Sequence, residues 1–404
     1  MKKKQNKKWT KFYHRIVRNI LYPTLGLYAR IKFRIRIEPF HQEEKRPYLI
    51  LFNHQTSFDQ FFVGLSFKRP VYFVATEDLF SNGFLSKIIK FLVAPIPIKK
   101  QTTDVKAVMN CIRVVKEGGA IAMAPEGNRT YSGETVYINP SVAPLARKLK
   151  VPVVLCRIEG GYGMQPRWSD VVRRGKMRSY ISRVITPEEI VNLSDDELLS
   201  AIEQGLYVNE AVADAQFHHK RKAEYLERAA YVCKYCGLSE FESHGNIIEC
   251  KKCHRKIEYL PNKELKGVGF DSPFKFFADW YHYQEEFINN LDVFEYTDKA
   301  MYCDTVSLYE VIPYNKKLLL LKGAKLALYG DRVEIQTTQE NTVFTFDEIS
   351  VVTVLGRNKL NIYHGGKIYQ IKSGKRFNAL KYVNIYHRYK NLKTKEKELT
   401  FLGL

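Results

Sequence analysis

Between residues 9 and 21 apolar and basic positions recur with helical spacing. Phe12, Tyr13, Ile16, Val17, Ile20 and Leu21 fall on one face, and Lys11, His14, Arg15 and Arg18 on the other. Pro23 is expected to end or kink this helix. A basic amphipathic helix with aromatics has the pattern of an interfacial membrane anchor, and a terminal helix covering a core fits it too. From about residue 47 the texture changes. Short apolar runs at 48–52, 71–75, 120–124 and 151–157 end at turn or polar signals, with helical stretches around 58–67, 84–92 and 103–117 between them. Buried strands alternating with helices predict an α/β domain built on a mixed, mostly parallel sheet with flanking helices. A strand around 178–185 completes the sheet, and Thr186-Pro187 opens a further helix. The stretch 79–92, rich in Phe80, Phe84, Leu85, Ile88, Ile89, Phe91 and Leu92, reads either as a core helix or as a lipid-facing wall.

Beyond residue 195 the pattern changes twice more. Residues 195–230 are polar and helix-prone, 231–260 hold a cysteine-rich segment, and 273–291 read as one aromatic-rich helix. Short strands then recur at 302–312, 317–322, 325–329, 332–337, 342–346, 349–355, 359–363 and 367–372, closed by a helix at roughly 375–390. The expected organisation is a basic amphipathic membrane-surface segment (1–40), an α/β domain (41–195), a helical linker (196–230), a zinc ribbon (231–260), a helical connector (261–300), a small all-β domain with a C-terminal helix (301–392) and a tail (393–404).

At 404 residues the chain is long enough for two or three domains, and 45% hydrophobic with 26% charged residues reads as globular. Charge adds a partner class: the net value is +21, and residues 1–40 hold twelve Lys or Arg against one acid, Glu38. An excess of this size implies an anionic partner, whether nucleic acid, a phospholipid surface or a phosphorylated substrate. No run of about 18 apolar residues occurs, so contact with a membrane would be peripheral or monotopic. The lysine-rich start is not followed by an apolar core and a cleavage site, so no secretory signal is expected. Seven cysteines without such a signal argue against a disulfide framework.

Three constellations carry chemistry. Asn53-His54-Gln55-Thr56-Ser57-Phe58-Asp59 follows a strand directly, placing His54 at the lip of the sheet. Asp59, one turn on, would hold one ring nitrogen of His54 and leave the other to act as a base. Alone this motif is weak, and a satisfied histidine at a strand end fits it equally. The second is Ala124-Pro125-Glu126-Gly127-Asn128-Arg129-Thr130, a tight loop bearing Glu126 and Arg129, the latter suited to bidentate phosphate recognition. Between them Ile96-Pro97-Ile98-Lys99-Lys100 delivers two cations, and Val151-Pro152-Val153-Val154 follows as a buried strand. In the third, Cys233-x₂-Cys236-x₁₃-Cys250-x₂-Cys253 supplies four thiolates at the spacing of a closed, structural tetrahedral zinc site. The ribbon's flanking Lys234, Lys251, Lys252, Arg255 and Lys256 read as a solvated basic face, or as a lipid or nucleic-acid contact.

In its His-x₄-Asp, Ile-x-Ile, Pro-Glu-Gly-x-Arg and Val-Pro-Val-Val blocks, in that order, the chain resembles the glycerolphosphate and lysophospholipid acyltransferase family over roughly residues 45–190. The resemblance implies that His54 and Asp59 form the catalytic dyad and that Glu126, Gly127 and Arg129 help bind an acceptor phosphate. Lys100 stands where the family usually has Arg, which keeps the charge but loses the planar fork. Ala124 replaces the usual aromatic, and Leu155 a frequent second Pro. The function implied is transfer of a fatty acyl group from acyl-CoA or acyl carrier protein (acyl-ACP) to a lysophospholipid acceptor, foremost 1-acylglycerol-3-phosphate. The expected location is the cytoplasmic face of the cell membrane, with a phospholipid surface and not nucleic acid as partner. Such a transfer needs no metal, so Zn²⁺ would serve folding. The C-terminal strands and helix resemble, in texture, a pleckstrin-homology-like barrel, which implies a lipid-surface or protein-docking role; a module that only stabilises the chain fits as well. A rival function is a zinc-ribbon adaptor, binding nucleic acid or a protein and carrying an idle acyltransferase-like domain.

Overall fold

The computed structural model describes residues 8–42, 47–80, 84–98, 104–135, 137–212, 214–312, 317–337, 341–394 and 401–403. Its first helix, α1 (Phe12–Phe33), does not stop at Pro23, which lies inside it. Proline removes one backbone donor from the ladder. Here the Thr24 hydroxyl donates to the Leu21 carbonyl at 2.8 Å beside the break, and the helix runs ten residues further. The apolar face of α1 is not the side that meets the core, so the reading of α1 as a helix covering a core through that face does not hold. His14 is buried with Nδ1 3.0 Å from the Tyr72 hydroxyl, and Arg18 donates to the Phe67 carbonyl at 2.7 Å. Phe12, Ile16, Ile20, Leu27 and Ile31 are left exposed. Periodicity finds a stripe but not the side that meets the core; His14 and Arg18 can turn inward because buried hydrogen bonds offset their desolvation.

The chain continues through β1 (Ile35–Ile37), β2 (Leu49–Phe52), α2 (Asp59–Leu65), β3 (Val71–Thr76), α3 (Phe84–Val93), β4 (Ile96–Ile98), α4 (Val105–Lys116) and β5 (Ala120–Met123). Then come α5 (Val142–Leu149), β6 (Val153–Glu159), α6 (Gly161–Met164), β7 (Met177–Ile185), α7 (Pro187–Asn192) and α8 (Asp195–Leu206). The sheet order is β1-β7-β6-β2-β5-β3-β4. Strands β2 to β6 run parallel, β7 is antiparallel to β6, and β1 is parallel to β7, so the predicted mixed, mostly parallel sheet is present. Strand β1 was not expected: three residues inside a basic run carry too little alternation to be seen.

Alternation along the strands divides the core. Leu49, Leu51, Ile121, Val153 and Leu155 pack with Val114 of α4, Ala146 of α5 and Ile202 and Leu206 of α8. An aromatic cluster of Phe33, Phe58 and Phe62, with ring centroids 4.9 and 5.2 Å from Phe33, joins α1 to the start of α2. Gly64 lets α1 and α2 approach, since a Cβ there would sit 2.6 Å from the Tyr22 hydroxyl. Helix α3 buries Ser86 but exposes Phe84, Ile88 and Phe91, and Phe91 stacks on Tyr13 of α1 at 4.8 Å. Contacts group residues 1–164 and 174–210 into this first unit, and 165–173 with 211–404 into a second.

The second unit holds β8 (Val232–Cys233), β9 (Gly237–Leu238), β10 (Phe241–His244), β11 (Ile247–Cys250), β12 (Lys256–Tyr259), β13 (Leu265–Gly267) and α9 (Phe277–Asn289). It ends in β14 (Tyr302–Glu310), β15 (Leu318–Leu328), β16 (Arg332–Gln336), β17 (Asn341–Thr345), β18 (Ile349–Leu355), β19 (Lys359–His364), β20 (Lys367–Lys372) and α10 (Leu380–Lys393). Strands β10 to β13 form one antiparallel sheet, and β14 to β20 another in the order β17-β16-β15-β14-β20-β19-β18. The runs expected at 317–322 and 325–329 are one strand, because Gly323 (φ +70°) is a bulge opposite Val306 and Ser307 and not a turn. The helix-prone 207–230 segment carries no α-helix among its described residues, only a 3-10 turn at Leu226–Arg228. Its backbone is claimed elsewhere: Ala223 N–H donates to the Gly245 carbonyl at 2.9 Å, and Tyr225 N–H to the Ser243 hydroxyl at 2.7 Å. Buried Arg228 grips Asp170 at 2.7 Å, so tertiary bonds override a weak local propensity.

Candidate active site

Strands β2 and β5 are parallel neighbours, with Leu51 opposite Met123, so the loops that follow them leave the same sheet edge side by side. Asn53 fixes the first loop at its root. Its amide donates to the Ile158 carbonyl at 2.8 Å and accepts from the Ile158 N–H at 2.7 Å, a two-point clamp onto β6. His54 follows, with Nδ1 2.8 Å from Asp59 Oδ2. The Asp59 side chain is fully buried and also accepts from Gln55 N–H at 2.6 Å, Thr56 N–H at 2.8 Å and the Thr56 hydroxyl at 2.6 Å. Thr56 thus donates to Asp59 through both its backbone N–H and its hydroxyl, which orients the carboxylate before it meets the histidine. A buried carboxylate bonded this way holds the imidazole tautomer that keeps a proton on Nδ1 and makes Nε2 the basic nitrogen.

The Pro-Glu-Gly loop is stitched to the same place. Pro125 and Glu126 occupy the centre of a turn closed by Gly127 N–H donating to the Ala124 carbonyl at 3.1 Å, and Gly127 takes φ +72°, which glycine adopts freely. Glu126 is only 6% exposed, and its carboxyl accepts the His54 backbone N–H at 2.6 Å. Thr130 N–H donates to the His54 carbonyl at 3.4 Å. Burial, aided by the Asp59 charge, pushes the Glu126 carboxyl up to about 8 despite the His54 N–H pulling it back. Arg129 is buried in this loop, and Lys100 lies outside the described residues. The structure therefore brings His54, Asp59, Glu126, Gly127 and Arg129 to one sheet edge, with the Glu126 carboxyl turned onto the His54 loop.

Sequence reasoning gave no role to Asn53, Gln55 or Thr56. Gln55 is buried and accepts Tyr162 N–H at 3.1 Å, while Gly161 packs so closely that a Cβ would sit 2.4 Å from Gln55 Cβ. Only Thr56 left a legible signal, its three-residue spacing from Asp59.

In the second unit the Sγ atoms of Cys233, Cys236, Cys250 and Cys253 all lie within 4.8 Å of one another, with Cys233 and Cys253 3.8 Å apart. Four sulfurs around a tetrahedral zinc at about 2.3 Å stand about 3.8 Å apart, so the cluster fits a metal ion of that kind. His244 and His254 pair with Glu242 and Glu249 at 3.1 and 3.0 Å, outside the cluster.

Residues 32–159 match the family model described as Acyltransferase. Over 136 residues the chain is 23% identical to a 1-acyl-sn-glycerol-3-phosphate acyltransferase of Bacillus subtilis, covering 34% of this chain and 65% of the relative. A chloroplastic 1-acyl-sn-glycerol-3-phosphate acyltransferase of Brassica napus is 24% identical over 188 residues, covering 46% and 54%. The chain thus spans between about half and two-thirds of these relatives' length. Among solved structures, the 1-acyl-sn-glycerophosphate acyltransferase PlsC of Thermotoga maritima aligns with a TM-score of 0.39 at 22% identity, covering 46% of this chain and 77% of that one.

Proposed function

We propose that the chain is an O-acyltransferase that moves a fatty acyl group from acyl-CoA or acyl-ACP to a lysophospholipid hydroxyl, with 1-acylglycerol-3-phosphate as acceptor and phosphatidate as product. The observation that carries this reading is the 2.8 Å bond from His54 Nδ1 to a buried, multiply bonded Asp59 beside the Glu126 loop. His54 Nε2 takes the acceptor hydroxyl proton as the oxygen attacks the thioester carbonyl. The tetrahedral oxyanion then collapses, the carbon–sulfur bond breaks, and the departing thiolate takes the proton from the imidazolium. Asp59 stabilises that imidazolium without being protonated. Arg129 and Lys100 hold the acceptor phosphate; Glu126 positions the His54 backbone.

The reaction takes place at the cytoplasmic face of a membrane. Its support is the outward apolar stripe of Phe12, Ile16, Ile20, Leu27 and Ile31 on α1, continued by Phe84, Ile88 and Phe91 on α3 and flanked by exposed Arg15, Lys87 and Lys90. Among the described residues no helix is long and apolar enough to cross a membrane, so the stripe would lie in the interface. Cys233, Cys236, Cys250 and Cys253 hold a structural zinc ion, which when bound supplies a covalent-like clamp for folding. The test is acyl transfer from labelled acyl-CoA and acyl-ACP to a panel of lysolipids. Transfer to lysophosphatidate above the other lysolipids is the expected result; transfer to none of them sinks the reading.

A further inference from the structure

Residues 207–210 follow α8 in the stretch that the sequence reads as a linker, and none of its motifs reaches them. They pair instead with the stretch that continues the Pro-Glu-Gly loop. Glu134 and Asn209 face each other in a short antiparallel bridge. Glu210 N–H donates to the Gly133 carbonyl at 2.9 Å and Thr135 N–H to the Val208 carbonyl at 3.0 Å, one bond on either side of the facing pair. Side chains add two more. Val208 N–H donates to the Thr135 hydroxyl at 3.3 Å, and the Asn209 amide to Glu134 Oε1 at 2.9 Å. Residues directly opposite in an antiparallel pair share a face, which lets that last bond span the two segments.

The loop is thereby held in two halves. Its leading half is fixed on His54, through the turn closed by Gly127 and through the Glu126 carboxyl that accepts the His54 N–H at 2.6 Å. Its trailing half starts with one long bond to His54, from Thr130 N–H at 3.4 Å, and then folds on itself, the Thr130 hydroxyl accepting Gly133 N–H at 2.9 Å. Gly133 lies against Tyr162, where a Cβ would come within 2.8 Å of the ring. Residues 208–210 close this half from the other strand of the bridge. Arg129 stands between the halves and is 7% exposed, so its guanidinium takes the position that the backbone on either side gives it. Recognition of a phosphate by a planar fork needs that position held to within about 0.5 Å.

We propose that Asn209 is a positioning residue for acceptor recognition: by binding Glu134 it locks the trailing half of the loop and so sets where Arg129 meets the acceptor phosphate. The inference deepens the acyl-transfer reading and rests on it. It also separates two kinetic parameters. The His54–Asp59 pair is held by Gln55, Thr56 and Glu126, none of which bonds to 207–210 in the contacts described above. Loosening the bridge therefore leaves the chemical step in place while the phosphate is held less well.

The test is acyl transfer by the full, zinc-loaded chain from acyl-CoA or acyl-ACP to detergent-dispersed 1-acylglycerol-3-phosphate. Wild type is compared with Asn209→Ala, the isosteric Asn209→Asp, Arg129→Lys and Asn209→Ala/Arg129→Lys. The acceptor KM is expected to rise about tenfold in Asn209→Ala, with kcat within about twofold of wild type and circular dichroism unchanged. Asn209→Asp sets a carboxylate against the Glu134 carboxylate and should raise KM at least as far. In the Arg129→Lys background Asn209→Ala adds less than about twofold to KM, because the fork it positions is already gone. Wild-type KM in both Asn209 variants overturns the proposal, as does a full, additive effect of Asn209→Ala in the Arg129→Lys background. A fall in kcat as large as the rise in KM, with a lower Tm, also overturns it and leaves Asn209 a structural residue only. Absence of transfer by the folded wild-type chain is a different failure, that of the acyltransferase reading, and the inference falls with it.

Discussion

Asp59 accepts four hydrogen-bond donors and presents one oxygen to His54, so its removal changes a charge and a tautomer together. Asp59→Asn is expected to lower kcat by about 10²–10⁴-fold with the fold intact, measured as thiol release from acyl-CoA together with circular dichroism. Glu126 makes a pH prediction. Its ordinary value is 4.5 and its folded value about 8, so between these the native state holds a proton that the unfolded state has lost. Stability must then fall as pH rises from about 4.5 to 8, and Glu126→Gln should flatten that fall, raising Tm more at pH 8 than at pH 5. Glu126→Ala leaves the buried His54 N–H without its acceptor and should cost about 1–3 kcal/mol in denaturant titration. The dyad was legible because a histidine and a carboxylate five residues apart span one loop and one helix start. The Glu126 contact was not: its partner is a backbone N–H 72 residues away, and backbone donors leave no mark in a side-chain pattern.

Among the elements, the strands and helices of the first unit were readable wherever an apolar run ended at a turn signal, as at Leu49–Phe52 and Ala120–Met123. The failures share a cause, which is that local pattern does not record tertiary partners. Helix α1 passes through Pro23 and turns His14 inward because Tyr72 waits there, and 207–230 gives its backbone to β10 and its neighbouring turn in place of a helix. Gly323 signals a bulge with the same residue that would signal a turn. Two variants probe α1. Gly64→Val forces a branched side chain against Tyr22 and should destabilise by about 1–3 kcal/mol, seen as a lower Tm. Ile16→Asp/Ile20→Asp changes exposed positions and should weaken vesicle binding about tenfold or more while sparing transfer to detergent-dispersed lysolipid. Equal loss in both assays would mean the stripe belongs to the fold and not to a membrane contact.

For the whole molecule, the net charge of +21 excluded little, since phospholipid and nucleic acid are both anionic. The cysteine spacing was more informative, because it picks out four thiols from two hairpin turns that converge within 4.8 Å, a set that could hold one metal ion. One zinc per chain is expected by elemental analysis. Chelation, or Cys250→Ser, should lower the melting transition of the second unit while the first unit keeps its acyl-transfer rate. A metal-free chain with unchanged melting would contradict that role. The proposed chemistry rests on His54, which follows the end of β2. The most direct test is the initial rate of acyl transfer from acyl-CoA or acyl-ACP to detergent-dispersed 1-acylglycerol-3-phosphate, wild type against His54→Ala, both zinc-loaded and folded. A wild-type rate that falls by about 10²–10⁴-fold in the variant is the result predicted; equal rates, or no transfer by either, would contradict it.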